Sequence, residues 1–186
     1  TGPEAVKALE ASAQTARTEY YDGLEYYIKL GYVPDDKNSS SVSKTLEYSY
    51  DDWAIAQAAK KLNRQDIYNE FIKRSANWRN HYDASTGFMR AKLSDGTFKK
   101  EFDALSTHGQ GYIEGNAWNY SLYVPHDPEA MIELMGGNRA FTQRLDELFT
   151  MHLPDEFFAE TEDITREGII GGYVHGNEPA HHVPYL

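Results

Sequence analysis

The sequence predicts an all-α protein whose helices form consecutive antiparallel pairs joined by long loops. Three observations support this fold class. Apolar residues recur at helical spacing in several segments, glycine and proline mark the ends of those segments, and no stretch shows the sustained apolar–polar alternation of a strand. The chain has 186 residues, of which 40% are hydrophobic, so it is long enough to bury a core.

Apolar spacing predicts three helices in the first half, over residues 3–31, 43–63 and 67–82. Pro3 suits the first turn of the first helix and Gly31 can end it, while Ser43 is a plausible N-cap of the second. The predicted apolar stripe of the second helix is Leu46, Tyr50, Trp53, Ala54, Ala58 and Leu62.

The second half mixes loops with a helical hairpin. Residues 83–100 are rich in turn signals and predict a loop or a small hairpin. Residues 127–137 and 138–150 predict two antiparallel helices separated by Gly136 and Gly137. We expect the tail, residues 154–186, to be mostly loop with a short helix near its end.

Composition narrows the class of partner. A net charge of −11 and a pI near 5.0 argue against nucleic acid or an anionic membrane surface, which need basic patches. The absence of cysteine excludes disulfides and thiolate metal sites, and no apolar run approaches the ~20 residues of a membrane span. Aromatic residues make up 13% of the chain, with 14 tyrosines. Tyrosine combines an apolar ring with a polar hydroxyl, which suits a cleft partly exposed to water and suggests a carbohydrate ligand.

The stretch LEYSYDDW places acids on one helix face. Glu47 and Asp51 are i, i+4 neighbours, and Asp52 follows directly. Like charges on one face are unfavourable unless a positive group or a hydroxylated ligand binds them. The alternative is a solvated acidic face without a ligand.

The stretch EGNAWNY contains a single carboxylate, Glu114, at a glycine turn among aromatic rings. Apolar surroundings would raise the pKa of this carboxyl group and allow it to donate a proton near neutral pH. The alternative is that Glu114 caps the helix expected to begin near Ala117.

The stretch HGNEPAHH suggests a metal site. Its spacing is not that of a zinc-binding H-E-x-x-H helix, and Pro179 prevents one continuous helix. Oxygen donors such as Asn177 and Glu178 suit a hard ion such as calcium better than zinc. Two alternatives remain open, a zinc site on the histidines and histidines satisfied within a polar loop.

Taken together, these stretches resemble one enzyme family. GYVPDD, SKTLEYSYDDW, TGFMR, EGNAWNYSLYVPHD, LMGGNRAF with LDELF, and GNEPAHHVPYL, in this order, resemble the glycoside hydrolase family 92 α-mannosidases. The resemblance implies a β-sandwich domain followed by an (α/α)6 toroid, of which residues 1–186 would be one part. It also implies an exo-acting, calcium-dependent, inverting enzyme that removes α-linked mannose from glycans outside the cytoplasm, in the periplasm, secreted or at the cell surface.

The resemblance assigns roles to individual residues. The family's general acid falls on Glu114, and its calcium or sugar contacts fall on Asn177 and Glu178. The family's catalytic base lies in a G-N-D-D-x-G-Q-M-S-A-W motif that this sequence does not contain, so we expect the isolated chain to be inactive. Further sugar-binding candidates are Asp51, Asp52, Trp53, Trp118, His181 and His182. The alternative function is a helical carbohydrate-binding or scaffold module without catalysis.

Overall fold

The structure is a computed structural model that describes residues 2–154 and 168–186, and it consists mainly of helices joined by long loops. The helices are α1 (Pro3–Thr15), α2 (Leu24–Leu30), α3 (Ser41–Lys61), α4 (Gln65–Arg74), α5 (Ala117–Tyr120), α6 (Pro128–Leu134) and α7 (Asn138–Thr150). Two antiparallel hairpins pair β1 (Tyr82–Asp83) with β2 (Phe88–Met89) and β3 (Ile169–Ile170) with β4 (Tyr173–Val174). None of the helices in the described ranges is long and apolar enough to cross a membrane.

The prediction of one helix over residues 3–31 is wrong, because the chain breaks between α1 and α2. Gly23 precedes α2 with a φ of 81°, a left-handed conformation that a right-handed helix cannot include. Tyr20, which lies in the break, is 86% exposed. The conformation of Gly23 therefore ends the helical structure, although the helical spacing of apolar residues continues through the break.

The second predicted helix is confirmed as α3, but its cap and its buried face differ from the prediction. Ser43 lies within the helix, and its hydroxyl accepts a hydrogen bond from the backbone N–H of Ile113 at 3.0 Å. Ala54 and Ala58 are exposed. The buried face consists largely of small and polar residues, namely Ser41, Val42, Ser43, Thr45, Leu46, Ser49, Asp52, Ala56 and Ala59.

The third predicted helix is shorter than expected. α4 ends at Arg74, and a separate 3-10 turn covers Asn77–His81. The Ser75 hydroxyl donates to the carbonyl of Ile72 at 2.8 Å, an alternative backbone contact that favours the end of a helix. Trp78, which lies in this turn, is nevertheless fully buried.

The predictions for the second half are largely confirmed. β1 and β2 form the small hairpin within the turn-rich segment, and α6 and α7 form the helical hairpin, with Gly136 and Gly137 both at positive φ. The tail contains the β3–β4 hairpin and two 3-10 turns, Glu178–Ala180 and Val183–Tyr185. The part of the predicted tail loop over residues 155–167 lies outside the described residues.

A buried polar network joins the first four helices. Asp52 Oδ2 accepts hydrogen bonds from the Tyr27 hydroxyl at 2.8 Å and from Arg74 Nε at 3.0 Å. Arg74 Nη2 also donates to the carbonyl of Ala16, just beyond α1, at 2.9 Å. Burial raises the pKa of Asp52 to about 7, while the charge of Arg74 and the hydrogen bond from Tyr27 act in the opposite direction. Asp52 therefore serves as the shared acceptor between α2, α3 and α4.

Removing this acceptor is expected to destabilise the chain. Asp52→Ala leaves Arg74 and Tyr27 without their acceptor, which costs about 3–5 kcal/mol for a broken buried ion pair. Urea unfolding followed by tryptophan fluorescence measures the change. Asp51→Ala is the matched control, because its carboxylate is exposed and its loss should cost less than about 0.5 kcal/mol. Equal losses for the two variants would contradict the proposed role of the network.

Candidate functional site

An acidic cavity lies between α3, the loop before α5 and the 3-10 turn Glu178–Ala180. Its volume is about 550 Å³, and Glu47, Asp51, Glu114 and Glu178 all line it. Among the described residues that line it, the only basic one is Lys44, whose ammonium is bound to the Asp22 carboxylate. A second cavity of about 640 Å³ lies between α1 and α3 and does not include Glu114. The first cavity is the candidate site, because it gathers residues from all three stretches that the sequence singled out.

The first turn of α3 fixes the segment that carries Glu114. The carbonyl of Gly111 accepts from the backbone N–H groups of Val42 at 2.9 Å and Ser43 at 3.2 Å. Backbone N–H groups in a first turn have no partner within their helix, so an outside carbonyl satisfies them. The bond from Ile113 N–H to the Ser43 hydroxyl, at 3.0 Å, adds a third contact. Glu114 is therefore tied directly to the helix that carries Glu47 and Asp51.

Glu114 does not cap α5, so the capping alternative is wrong. Asn116 is the N-cap, and its Oδ1 accepts from the backbone N–H of Trp118 at 3.0 Å and of Asn119 at 3.3 Å. Glu114 lies before this cap and is exposed at the cavity. Its carboxylate is consequently not needed to satisfy the helix terminus.

Asn119 joins the Glu114 segment to the tail. Its Nδ2 donates to the carbonyl of Gly172 at 3.1 Å, and its Oδ1 accepts from Val174 N–H at 3.4 Å. Only 2% of Asn119 is exposed, so these bonds are shielded from water. They hold the β3–β4 hairpin against α5 and place Glu178 at the same cavity as Glu114.

The pKa of Glu114 is raised from its ordinary value, as predicted. Partial burial is the main cause, followed by the negative charges of Glu178 and Glu47, while a hydrogen bond from Asn177 acts in the opposite direction. The prediction named surrounding aromatic rings as the cause. The charges of neighbouring carboxylates add to the effect of burial, which the sequence around Glu114 could not reveal because they lie on distant segments.

The adjacent acids of the DDW motif have different surroundings. Asp51 lines the cavity beside Glu114, whereas Asp52 is buried in the network with Arg74. Trp53 stacks on Tyr50 with ring centroids 5.8 Å apart and does not line the cavity. Of the three predicted residues in this motif, the structure brings only Asp51 to Glu114.

Trp118 packs away from the cavity as part of the hydrophobic core. Its ring meets Phe88 edge to face at 5.1 Å, and the guanidinium of Arg144 lies 4.9 Å from its centroid. The aromatic character of EGNAWNY therefore serves packing at this position.

Two of the three histidines in the HGNEPAHH stretch donate hydrogen bonds to backbone carbonyls. His182 Nε2 donates to the carbonyl of Leu122 at 2.7 Å, and His181 Nε2 donates to that of His175 at 2.8 Å. Burial lowers the pKa of His182. Within residues 2–154 and 168–186, no three histidine, aspartate or glutamate side chains are grouped so that they could hold a metal. The geometry favours the interpretation of histidines satisfied in a polar loop over a zinc site.

Asn177 and Glu178 fit part of a site for a hard cation. Asn177 Oδ1 is buried and has no hydrogen-bond partner among the described residues. Glu178 follows it with an exposed carboxylate. Amide and carboxylate oxygens are the donors that calcium prefers, although calcium takes 6–8 oxygen ligands in total. The two oxygen donors of Asn177 and Glu178 would form only part of such a site, and other groups would have to supply the remaining oxygen ligands.

Comparison with known proteins identifies the family. Residues 2–186 match the glycosyl hydrolase family 92 catalytic domain. The chain belongs to this family. Its helical structure superposes on two solved family 92 enzymes from Bacteroides thetaiotaomicron. The alpha-mannosidase BT3965 is 44% identical with a TM-score of 0.89, and the inverting mannosidase BT2199 is 36% identical with a TM-score of 0.82.

The chain spans about a quarter of the length of these family 92 relatives. The match to BT3965 includes 100% of this chain and 24% of that protein. The match to BT2199 includes 97% of this chain and 26% of that protein. An uncharacterized secreted glycosidase from Arthroderma benhamiae is 27% identical over 173 residues, which are 77% of this chain and 22% of that protein. The predicted all-α segment of an (α/α)6 family 92 domain is therefore confirmed.

Glu47 and Tyr123 are two residues of the candidate site that were not among the predicted site residues. Glu47 lines the cavity and accepts a hydrogen bond from the Tyr120 hydroxyl, and Tyr123 lines the same cavity. The i, i+4 spacing of Glu47 and Asp51 was the signal that could have identified Glu47. Tyr123 had no signal, since tyrosine is frequent throughout the chain.

Gly111 is expected to be intolerant of a side chain. A Cβ there would lie 2.7 Å from Val42 Cγ2 and 2.9 Å from Ser41 Oγ, whereas one at Gly109 would meet nothing within 4 Å. Both glycines have positive φ, so alanine should cost about 1–2 kcal/mol at each. Overpacking should add about 1–3 kcal/mol for Gly111→Ala alone. Urea unfolding of the two variants measures the difference, and equal losses would show that the α3 contact is not tight.

Proposed function

We propose that this chain is part of an exo-acting, calcium-dependent, inverting α-mannosidase, with Glu114 as the general acid. The observation that carries the proposal is the position of Glu114, which is free of the α5 cap and faces a cavity shared with three other carboxylates. The similarity to an alpha-mannosidase whose structure is also known in complex with mannoimidazole, and to an inverting mannosidase, supports the reaction class.

The raised pKa suits Glu114 to the role of proton donor. Protonated Glu114 would donate to the glycosidic oxygen as the bond to the sugar breaks. Inversion needs a second carboxylate roughly 6.5–9.5 Å away, on the opposite face of the sugar, to activate water. We place that base in a part of the enzyme outside these 186 residues, because the chain covers only about a quarter of its relatives.

Asn177 and Glu178 would hold calcium beside the general acid. When bound, the ion would supply Lewis-acid and positioning help to the sugar. The described residues contribute by leaving Asn177 Oδ1 without a hydrogen-bond partner among themselves and by anchoring the segment through Asn119.

The substrate and partners follow from the same proposal. The substrate would be a mannose-containing glycan, and the partners would be a β-sandwich domain and the remaining helices of the toroid. A secreted glycosidase among the relatives supports a periplasmic, secreted or cell-surface location. The acidic cavity is compatible with a neutral hydroxylated ligand and unfavourable for nucleic acid.

Replacing the proposed acid should remove most activity on unactivated substrates. In the full-length protein that carries this chain, Glu114→Gln should lower kcat on an α-1,2-linked mannobiose by about 10²–10⁴-fold. An aryl mannoside with a good leaving group should lose much less, because its leaving oxygen needs little protonation. Glu101→Gln, at an exposed loop glutamate, is the control. Turnover of mannobiose by Glu114→Gln near the wild-type value would refute the assignment.

Metal removal should abolish activity reversibly. Mannose release from the mannobiose by the full-length protein should stop in EDTA and return with calcium. The isolated chain should release no mannose in either condition. Asn177→Ala should raise the calcium concentration needed for half-maximal activity about 10-fold or more. Full activity in EDTA would overturn the calcium proposal. A protein that binds mannoimidazole but hydrolyses no α-mannoside would favour the non-catalytic carbohydrate-binding module.

A further inference from the structure

Glu47 lies in the acidic cavity with one of its oxygens already bound. The hydroxyl of Tyr120 donates to Glu47 Oε1. Tyr120 is fully buried, and its ring packs against Tyr112 at 5.8 Å and Tyr123 at 5.9 Å. Burial and the nearby Glu47 carboxylate raise the pKa of Tyr120, so its hydroxyl keeps the proton that it donates. The Glu47 carboxylate is thus attached to a rigid part of the core.

The second oxygen of Glu47 has no hydrogen-bond partner in the described part of the chain. The nearest available cation on the same helix, Lys44, is bound to the carboxylate and the carbonyl of Asp22 instead. An ionised carboxylate can only accept hydrogen bonds, so a partner for Oε2 must be a donor. A hydroxylated ligand in the cavity supplies such donors.

A role limited to accepting a hydrogen bond from the Tyr120 hydroxyl does not require a charged side chain at Glu47. A buried tyrosine hydroxyl needs one acceptor, which glutamine would supply equally well. Glu47 instead lies four residues before Asp51 on α3, and both residues line the cavity with Glu114. Two negative charges at this spacing repel each other and lower the stability of the helix. A hydrogen bond from a bound hydroxyl group would offset that loss.

We propose that Glu47, held by Tyr120, binds a hydroxyl group of the mannoside in the cavity and contributes to its specificity. The inference rests on the proposed function and names one further sugar-binding residue for it. Tyr120 is a positioning residue, because it acts through Glu47.

The test measures binding and turnover in the full-length protein. Calorimetry with mannoimidazole and kinetics with an aryl α-mannoside are compared for wild type, Glu47→Gln, Glu47→Ala and Tyr120→Phe. Loss of a hydrogen bond to a charged acceptor is expected to weaken mannoimidazole binding by about 10- to 100-fold in both Glu47 variants. Tyr120→Phe should cost less, because the carboxylate remains but loses its fixed position. Glu101→Gln is the control and should match wild type.

Deoxygenated substrates identify the bound hydroxyl. A series of aryl α-mannosides, each lacking one of the 2-, 3-, 4- and 6-hydroxyl groups, is assayed with wild type and Glu47→Ala. One position should weaken kcat/KM about 10-fold or more in wild type and leave Glu47→Ala nearly unchanged, because the hydroxyl and its acceptor act as one pair. A purely structural role for Glu47 would not produce this non-additivity.

The outcomes separate the two proposals. Wild-type hydrolysis of mannosides, with Glu47→Gln within twofold of wild type and all deoxy effects additive, overturns the inference and leaves the proposed function intact. A wild type that neither hydrolyses mannosides nor binds mannoimidazole overturns both. If Glu47→Ala fails to fold, the deoxy series is run with Glu47→Gln, which retains an acceptor for Tyr120 and whose melting temperature should stay close to wild type.

Discussion

The backbone contact between the first turn of α3 and the carbonyl of Gly111 holds the candidate site together. α3 leaves the N–H groups of Val42 and Ser43 without helical partners, and the Gly111 carbonyl satisfies both. The contact requires a residue without a Cβ, because a side chain at Gly111 would collide with the same helix turn. Glu114 lies three residues after Gly111, so this contact also limits where the Glu114 side chain can lie relative to α3.

This arrangement allows the site to concentrate negative charge. Four carboxylates line one cavity, and Lys44 is held by Asp22. Such repulsion lowers stability, and the chain tolerates it because backbone and amide contacts rather than charge pairs position the acidic segments. The uncompensated charge suits ligands that bring hydroxyl groups or a cation, which agrees with a sugar and calcium and disfavours an anionic substrate.

The sequence predicted the residue types of the site better than their surroundings. Glu114, Asp51 and Glu178 were expected from their motifs, and the structure brings all three to one cavity. Asp52 was predicted to bind sugar together with its neighbour Asp51, yet it faces Arg74, which lies 22 residues further along the chain. Long-range partners of this kind decide whether an acid is buried or free, and periodicity contains no information about them.

The fold shows the same limit. Local signals identified α3, the β1–β2 hairpin and the α6–α7 hairpin, because each depends on contacts close in sequence. The break between α1 and α2 was missed, since the apolar spacing runs on through a glycine whose left-handed conformation ends any helix.

The aromatic and amide residues around Glu114 have structural roles, and these roles explain why Glu114 is the one carboxylate among them. Asn116 caps α5, Asn119 fastens the tail, and Trp118 and Tyr120 pack into the core. The side-chain amides of Asn116 and Asn119 and the hydroxyl of Tyr120 already have partners of their own. Apart from a hydrogen bond from Asn177, the Glu114 carboxylate is left to interact with the cavity, where the charges of Glu178 and Glu47 raise its pKa further. The same residues that build the loop thus leave one acid free for a ligand.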